Sequence, residues 1–194
     1  MRPRTLKLVQ IAIFSAIATV ISMIRIPVFF APSFYRLDLS DTVVLMSGFS
    51  LGPAAAVMTE FLKVFLKILI KGSASLGISD LAKLTIGLAL VLPATIIYKK
   101  NRTFKGACIS LMVGTFCSVM LAALMNYFVL LPAFEALFNI SEKKNISTVQ
   151  LINPLVIDKL TFVLFVVSPF NLVESVINSL LALVFRTRTN RLKS

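Results

Sequence analysis

The chain has 194 residues, of which 58% are hydrophobic, with a mean hydropathy of +0.93 and a formal net charge of +12. No water-soluble domain of this size could cover such a composition with polar surface, so residues 1–194 are expected to form a single integral-membrane domain. The charge does not point to nucleic acid, because the bases sit at the ends of apolar stretches and no folded RNA- or DNA-binding unit has room.

Arg2, Arg4 and Lys7 lead into a first apolar span, about Lys7 to Met23. A basic start followed by an apolar run could be a signal peptide. Ile26-Pro27-Val28 stands where a small-residue cleavage site would be, and further spans follow, so a retained first helix is predicted. On this span Ala12 and Ala16, with Ala18 beside them, form a small-xxx-small stripe suited to close helix contact, within the protein's own bundle or with a partner. The next segment, Arg25 to Asp41, mixes Pro27 and Pro32 with Phe29, Phe30, Phe34 and Tyr35 and the charges Arg36, Asp38 and Asp41. It is too apolar for an idle solvated loop, and a lid or re-entrant stretch folded back over the protein is expected.

A short second span, about Thr42 to Leu51, ends at Gly52-Pro53, where Pro53 suits the first turn of the following helix. The third runs from about Ala54 to Ile70, and the fourth from Ser79, read as its N-cap, to Tyr98. A basic turn holding Lys99, Lys100, Arg102 and Lys105 leads to the fifth, Gly106 to Leu131. A polar connection with Glu135, Glu142, Lys143, Lys144 and Asp158 precedes the sixth, Leu160 to Phe185, which has Pro169 in its middle and ends in Arg186, Arg188, Arg191 and Lys193. The predicted fold is therefore an all-α membrane protein with six transmembrane helices. The acid-free basic clusters fall together at the N-terminus, the Lys99 to Lys105 turn and the C-terminus, so the positive-inside rule puts both ends in the cytoplasm. The long connection between helices 1 and 2 then lies outside, and the protein is a multi-pass component of a plasma or inner membrane.

Charged and amide side chains inside spans are costly and normally face a cavity or a partner. Glu60, Lys63 and Lys67 lie on one face of the third helix. The plain structural account is a Glu60–Lys63 pair with Lys67 snorkelling to the outer interface. Asp80 and Lys83, one turn apart at the outer end of the fourth helix, could form an interfacial ion pair. Asn126 lies deep in the fifth, and Asn171 and Glu174 share a face of the sixth just after Pro169, whose missing N–H frees a backbone carbonyl. One such amide can simply glue helices together. Several on the outer halves of four helices suggest a pocket open to the outside, apolar in its walls with amide and charged groups inside.

Nothing in the chain supplies energy or bond-breaking chemistry. There is no GxxxxGK[ST] phosphate loop and no histidine, and no nucleophile, base and metal set converges, so an enzyme is not expected. Cys108 and Cys117 lie roughly 13 Å apart along one helix, cannot bond to each other, and are read as two buried thiols. A pocket without a motor suggests a binding subunit or a facilitator.

Leu37-Asp38-Leu39-Ser40-Asp41, Gly52-Pro53, Glu60-Phe61-Leu62-Lys63, Asn126-Tyr127-Phe128-Val129-Leu130-Leu131-Pro132 and Pro169-Phe170-Asn171 occur in this order over nearly the whole chain. Together they resemble the riboflavin-specific S component of energy-coupling-factor (ECF) transporters, the Asn-Tyr-Phe-Val-Leu-Leu-Pro run being the most specific part. The resemblance implies a six-helix subunit that captures riboflavin from outside as a transported ligand, with no cofactor. It also implies association with a transmembrane coupling subunit and two ATPases that drive release inward, with toppling of the S component in the bilayer. By the same resemblance Ala12 and Ala16 would dock on the coupling subunit, and the Arg25 to Asp41 segment would be the lid. Asn126 and Asn171 would hydrogen-bond the isoalloxazine edges, Leu39, Ser40 and Thr42 would contact the ring, and Lys63 and Asp80 would reach the ribityl chain.

The family pattern differs at two positions, having lysine where this chain has Glu174 and tending to asparagine where it has Lys83. Either these two residues meet across the pocket as a compensating pair, or the ligand has changed. Two further readings stay open beside riboflavin capture: an S component for another vitamin, and a structural membrane protein whose polar residues only hold helices together.

Overall fold

The computed structural model describes residues 3–24, 26–28, 35–73, 75–138, 146, 149–150 and 154–191. Phe29, Phe30, Pro32 and Phe34 of the expected lid, and Glu142, Lys143 and Lys144 of the polar connection, lie outside the described residues. The described residues fold into α1 (Pro3–Met23), α2 (Ser40–Leu51), α3 (Pro53–Lys71) and α4 (Ile78–Lys100), then two interrupted rods. The first rod is α5 (Phe104–Met125), a π-helical turn (Asn126–Leu130) and α6 (Leu131–Phe138). The second is α7 (Lys159–Phe162), a π-helical turn (Val163–Val167) and α8 (Ser168–Arg191). Between α1 and α2 a small ribbon pairs β1 (Ile26–Pro27) antiparallel with β2 (Arg36–Leu37), which brings the two ends of that connection together.

The helices bury polar residues and expose apolar ones, the inverse of a soluble bundle. On α3, Thr59, Glu60, Lys63 and Lys67 are buried while Met58, Phe61, Phe65 and Leu69 face out. On α1 the buried side chains include Ser15 and Thr19, whose hydroxyls donate to carbonyls one turn back on the same helix, and Leu8, Ile13, Ile17 and Val20 are exposed. Hydrocarbon is the solvent that stabilises such a surface. Arg4–Met23, Ile78–Lys100, Phe104–Leu137 and Lys159–Thr187 are long and apolar enough to cross a membrane. By contrast α2, with 12 residues, spans only about 18 Å at the helical rise, and α3 carries the interior charges. The protein is an all-helical membrane protein.

The core runs along α4, where Leu90, Val91 and Ala94 pack with Val44 and Leu45 of α2, Leu111 of α5 and Ala182 of α8. At Gly114 a Cβ would lie 2.3 Å from the Leu90 carbonyl oxygen, so the backbones of α4 and α5 approach as only glycine permits.

The structure differs from the sequence expectations at the start of α4 and at the end of the fifth span. Ser79 is not the N-cap of α4; Gly77 is, in a left-handed conformation (φ 88), and the Ser79 N–H is bound by Ser75 Oγ at 3.1 Å. The fifth span, the first rod, runs past Leu131 to Phe138, and Pro132 does not end it. Instead the prolines of the two rods, Pro132 and Pro169, each stand two residues after a π-helical turn, and that wider turn absorbs the break left by the missing N–H, whereas Pro93 lies inside α4 with no such turn. Cys108 and Cys117 are free, as their spacing required, but both are half-buried and not buried.

Candidate functional site

A cavity of about 450 Å³ opens among the β2–α2 connection, α3, α4, the two π-helical rods and α8. Asn126 begins one π-helical turn and Asn171 follows the other, so both amides are presented to the cavity from places where the helical ladder is irregular. Each spends one N–H on its own helix, Asn126 Nδ2 donating to Ala122 O and Asn171 Nδ2 to Val167 O, both at 2.8 Å. The Tyr35 hydroxyl donates to Asn126 Oδ1 at 3.3 Å, and the Tyr35 ring packs on Phe170 with centroids 4.8 Å apart. The wall thus pairs aromatic faces with amides that retain hydrogen-bonding capacity.

The charges are arranged in three sets. Lys83 Nζ lies 2.7 Å from Asp38 Oδ2 and 3.7 Å from Glu174 Oε1, and Glu174 Oε1 also accepts the Asp38 N–H at 2.8 Å. Lys83 and Glu174 therefore do meet across the cavity, with Asp38 as the closer partner. Burial alone would raise the Asp38 carboxyl, but the ammonium of Lys83, with Lys63 behind it, outweighs burial and holds it below the usual carboxylate range. In the second set Lys63 Nζ sits 2.6 Å from Asp41 Oδ1 and 2.6 Å from Glu60 Oε2, the latter close enough for an ion pair though not aligned for a hydrogen bond. In the third, Lys67 Nζ donates to Asp80 Oδ1 at 2.9 Å and Ser73 Oγ to Asp80 Oδ2 at 2.6 Å.

Two simpler expectations fail here. Lys67 does not snorkel, because Asp80 gives it a partner inside the bundle, and Asp80 and Lys83 do not pair with each other. Gly87 of α4 forms the cavity wall in front of Glu60; a Cβ there would stand 2.4 Å from Glu60 Oε1, so the buried carboxylate occupies the space a side chain would need.

Asp80, Lys83, Asn126, Asn171 and Glu174 all line the cavity. Lys63 lies behind Asp41 and is fully buried, off the wall. Leu39, Ser40 and Thr42 are also off the wall. Ser40 is fully buried, and Thr42 is turned to α8, where Asn178 Oδ1 accepts its N–H at 2.9 Å and its hydroxyl at 2.8 Å. Ala12 and Ala16 are exposed on the outer face of α1 while Ala18 is buried, so the first two do not pack inside the bundle.

Sequence reasoning passed over Asp38, Asp41 and Asn178. Asn178 Nδ2 donates to Asp38 O and to Glu174 O, both at 3.0 Å, and so fastens the start of α2 to α8. A usable signal existed: Asn171, Glu174 and Asn178 repeat the i, i+3, i+7 spacing of Glu60, Lys63 and Lys67.

Comparison with known proteins agrees with this geometry. The family model for the ECF transporter, substrate-specific component, matches residues 6–185. The riboflavin transporter RibU of Staphylococcus aureus (strain TCH60) is 29% identical over 188 residues, covering 96% of this chain and 92% of RibU. The riboflavin transporter FmnP of Bacillus subtilis (strain 168) is 31% identical over 129 residues, 66% of this chain and 68% of FmnP. A solved structure described as the S component of a bacterial ECF transporter superposes with a TM-score of 0.75 at 26% identity, covering 98% of this chain and 99% of its own. A family match over nearly the whole length, on a helical membrane fold with a polar cavity, establishes that the chain belongs to the substrate-specific components of ECF transporters, which bind a transported substrate and are not enzymes.

Proposed function

We propose that this protein captures riboflavin from outside the cell and delivers it inward as the substrate-binding subunit of an ECF transporter. The observation that carries the reading is the cavity of about 450 Å³, within the range of roughly 300–1,000 Å³ typical of small-molecule sites. Its aromatic and amide lining suits a flat, uncharged ring with a rim of donors and acceptors. The names of the relatives in S. aureus and B. subtilis support the same ligand. Asn126 and Asn171 take the ring edges, and the Lys83–Glu174 contact stands where the family pattern differs, keeping a charge beside the ring.

In this reading residues 1–194 form one integral-membrane unit of six transmembrane helices in the plasma membrane, with both ends in the cytoplasm. The cavity mouth and the β1–β2 ribbon then face outward. The exposed Ala12 and Ala16 give a smooth strip for a coupling subunit, which two ATPases power.

The absorption spectrum of the purified protein tests the ligand. A yellow protein, or one that quenches added riboflavin fluorescence with nanomolar to micromolar affinity, is expected; a colourless protein with no flavin affinity refutes the reading, and a vitamin panel then finds the substrate. Docking is tested by Ala12→Leu with Ala16→Leu. Riboflavin affinity should stay within about twofold while uptake through the assembled transporter is lost, because close helix contact does not tolerate leucine.

A further inference from the structure

We propose that Asp41 is a ligand-binding residue: its free carboxylate oxygen accepts a hydrogen from a side-chain hydroxyl of the bound flavin, and Lys63 and Glu60 behind it are positioning residues. The proposal rests on the riboflavin reading above.

Three observations carry it. Asp41 lines the cavity from the first turn of α2 and is 8% exposed, so what it shows is shown to the cavity. Its Oδ1 takes Lys63 Nζ, while Oδ2 has no hydrogen-bond partner among the described residues. Lys63 is shared with Glu60, which lies at the same 2.6 Å, so one ammonium faces two carboxylates and Asp41 keeps an anionic oxygen to offer. The second oxygen is accessible from the cavity, and a hydroxyl arriving with the ligand gains a charge-assisted hydrogen bond there.

The division of labour around the cavity decides which donor this is. Asparagine amides offer both a donor and an acceptor and match a ring edge that alternates carbonyls with N–H. A carboxylate only accepts, and so matches the hydroxyls of a polyol. Glu174 also has a second oxygen, but its carboxylate is already tied to the Asp38 N–H and to Lys83. Asp41 is on a shorter side chain, held by a lysine that is itself fully buried, which fixes the direction of its acceptor.

A cycle between protein and ligand tests this. Riboflavin and analogues lacking one side-chain hydroxyl at a time are titrated against the full-length wild-type protein and Asp41→Asn by fluorescence quenching. Removing one particular hydroxyl should weaken binding to the wild type by about ten- to a hundredfold, and the same removal should change binding to Asp41→Asn by less than about threefold, because the two changes delete one interaction. A merely structural Asp41 would lower affinity for every ligand by the same factor, and that result overturns the proposal. Coupling to a ring N–H-methylated analogue instead of a hydroxyl also overturns it. Should Asp41→Asn not fold, the wild-type titrations decide: no hydroxyl removal costing more than about threefold refutes the assignment. Absence of riboflavin binding by the wild type refutes the transport reading itself, which separates the two failures.

Discussion

Lys83 shows how much one side chain can depend on elements far apart in the chain. It stands on α4 and bridges Asp38, in the β2–α2 connection, to Glu174 on α8. Removing the lysine leaves two neighbouring carboxylates without their counter-charge, which is worse than removing one carboxylate from a set that has two. Lys83→Ala is therefore expected to weaken riboflavin binding by about ten- to a hundredfold and to destabilise the fold more than Glu174→Ala does. The double variant should fall short of the sum of the singles by about 1 kcal/mol or more, measured as a binding cycle. Additive losses would mean that the two residues act on the ligand separately and that the contact at 3.7 Å contributes little.

At the scale of elements, the two prolines and the two π-helical turns belong together. A proline two residues after a widened turn lets the helix continue, and the irregular backbone puts Asn126 and Asn171 at the cavity from two separate rods. The start of the second rod is set by ordinary capping chemistry outside the membrane. Asp158 Oδ1 accepts the Thr161 N–H at 2.8 Å and the Thr161 hydroxyl at 2.6 Å. Those bonds favour the ionised carboxylate and lower its pKa from the ordinary 3.8. A depressed folded-state pKa means that the stabilisation is complete above that ordinary value and fades as pH falls through the lower one. Asp158→Ala is accordingly expected to lower the thermal midpoint in detergent at neutral pH, with the gap to wild type closing only in strong acid. A gap that closed near neutrality would show that the cap is not the cause.

For the whole molecule, the charge balance of the site matters more than the net +12 of the chain. Asp38, Asp41, Glu60, Asp80 and Glu174 face Lys63, Lys67 and Lys83, and each of these lysines is already held by a carboxylate. Arg36 joins the wall without reversing the excess of acid. A flavin carrying a phosphate brings about two negative charges into this field, whereas riboflavin brings none. Flavin mononucleotide is expected to bind at least about tenfold more weakly than riboflavin in parallel titrations at one salt concentration. Equal affinities would indicate that the phosphate stays in solvent beyond the mouth.

Hydropathy and the placement of bases were enough to read a helical membrane protein, because a bilayer demands long apolar segments whose ends carry charge whatever the tertiary arrangement. Polar residues stranded in those segments were equally legible as interior: Lys67, Asp80, Asn126 and Asn171 all turned out to be buried. Their partners were not legible. Helical spacing suggested Glu60 with Lys63 and Asp80 with Lys83, and only the first pair formed, since spacing describes one helix and ion pairing here crosses between helices. Asp38 and Asp41, set in an apolar connection and at the start of a short helix, became parts of the cavity only when α2 was packed against α3, α4 and α8. The sequence by itself determined the solvent of this protein and which residues it must hide; the packing of distant helices decided which hidden groups meet, because buried charges take the partners that three-dimensional proximity offers.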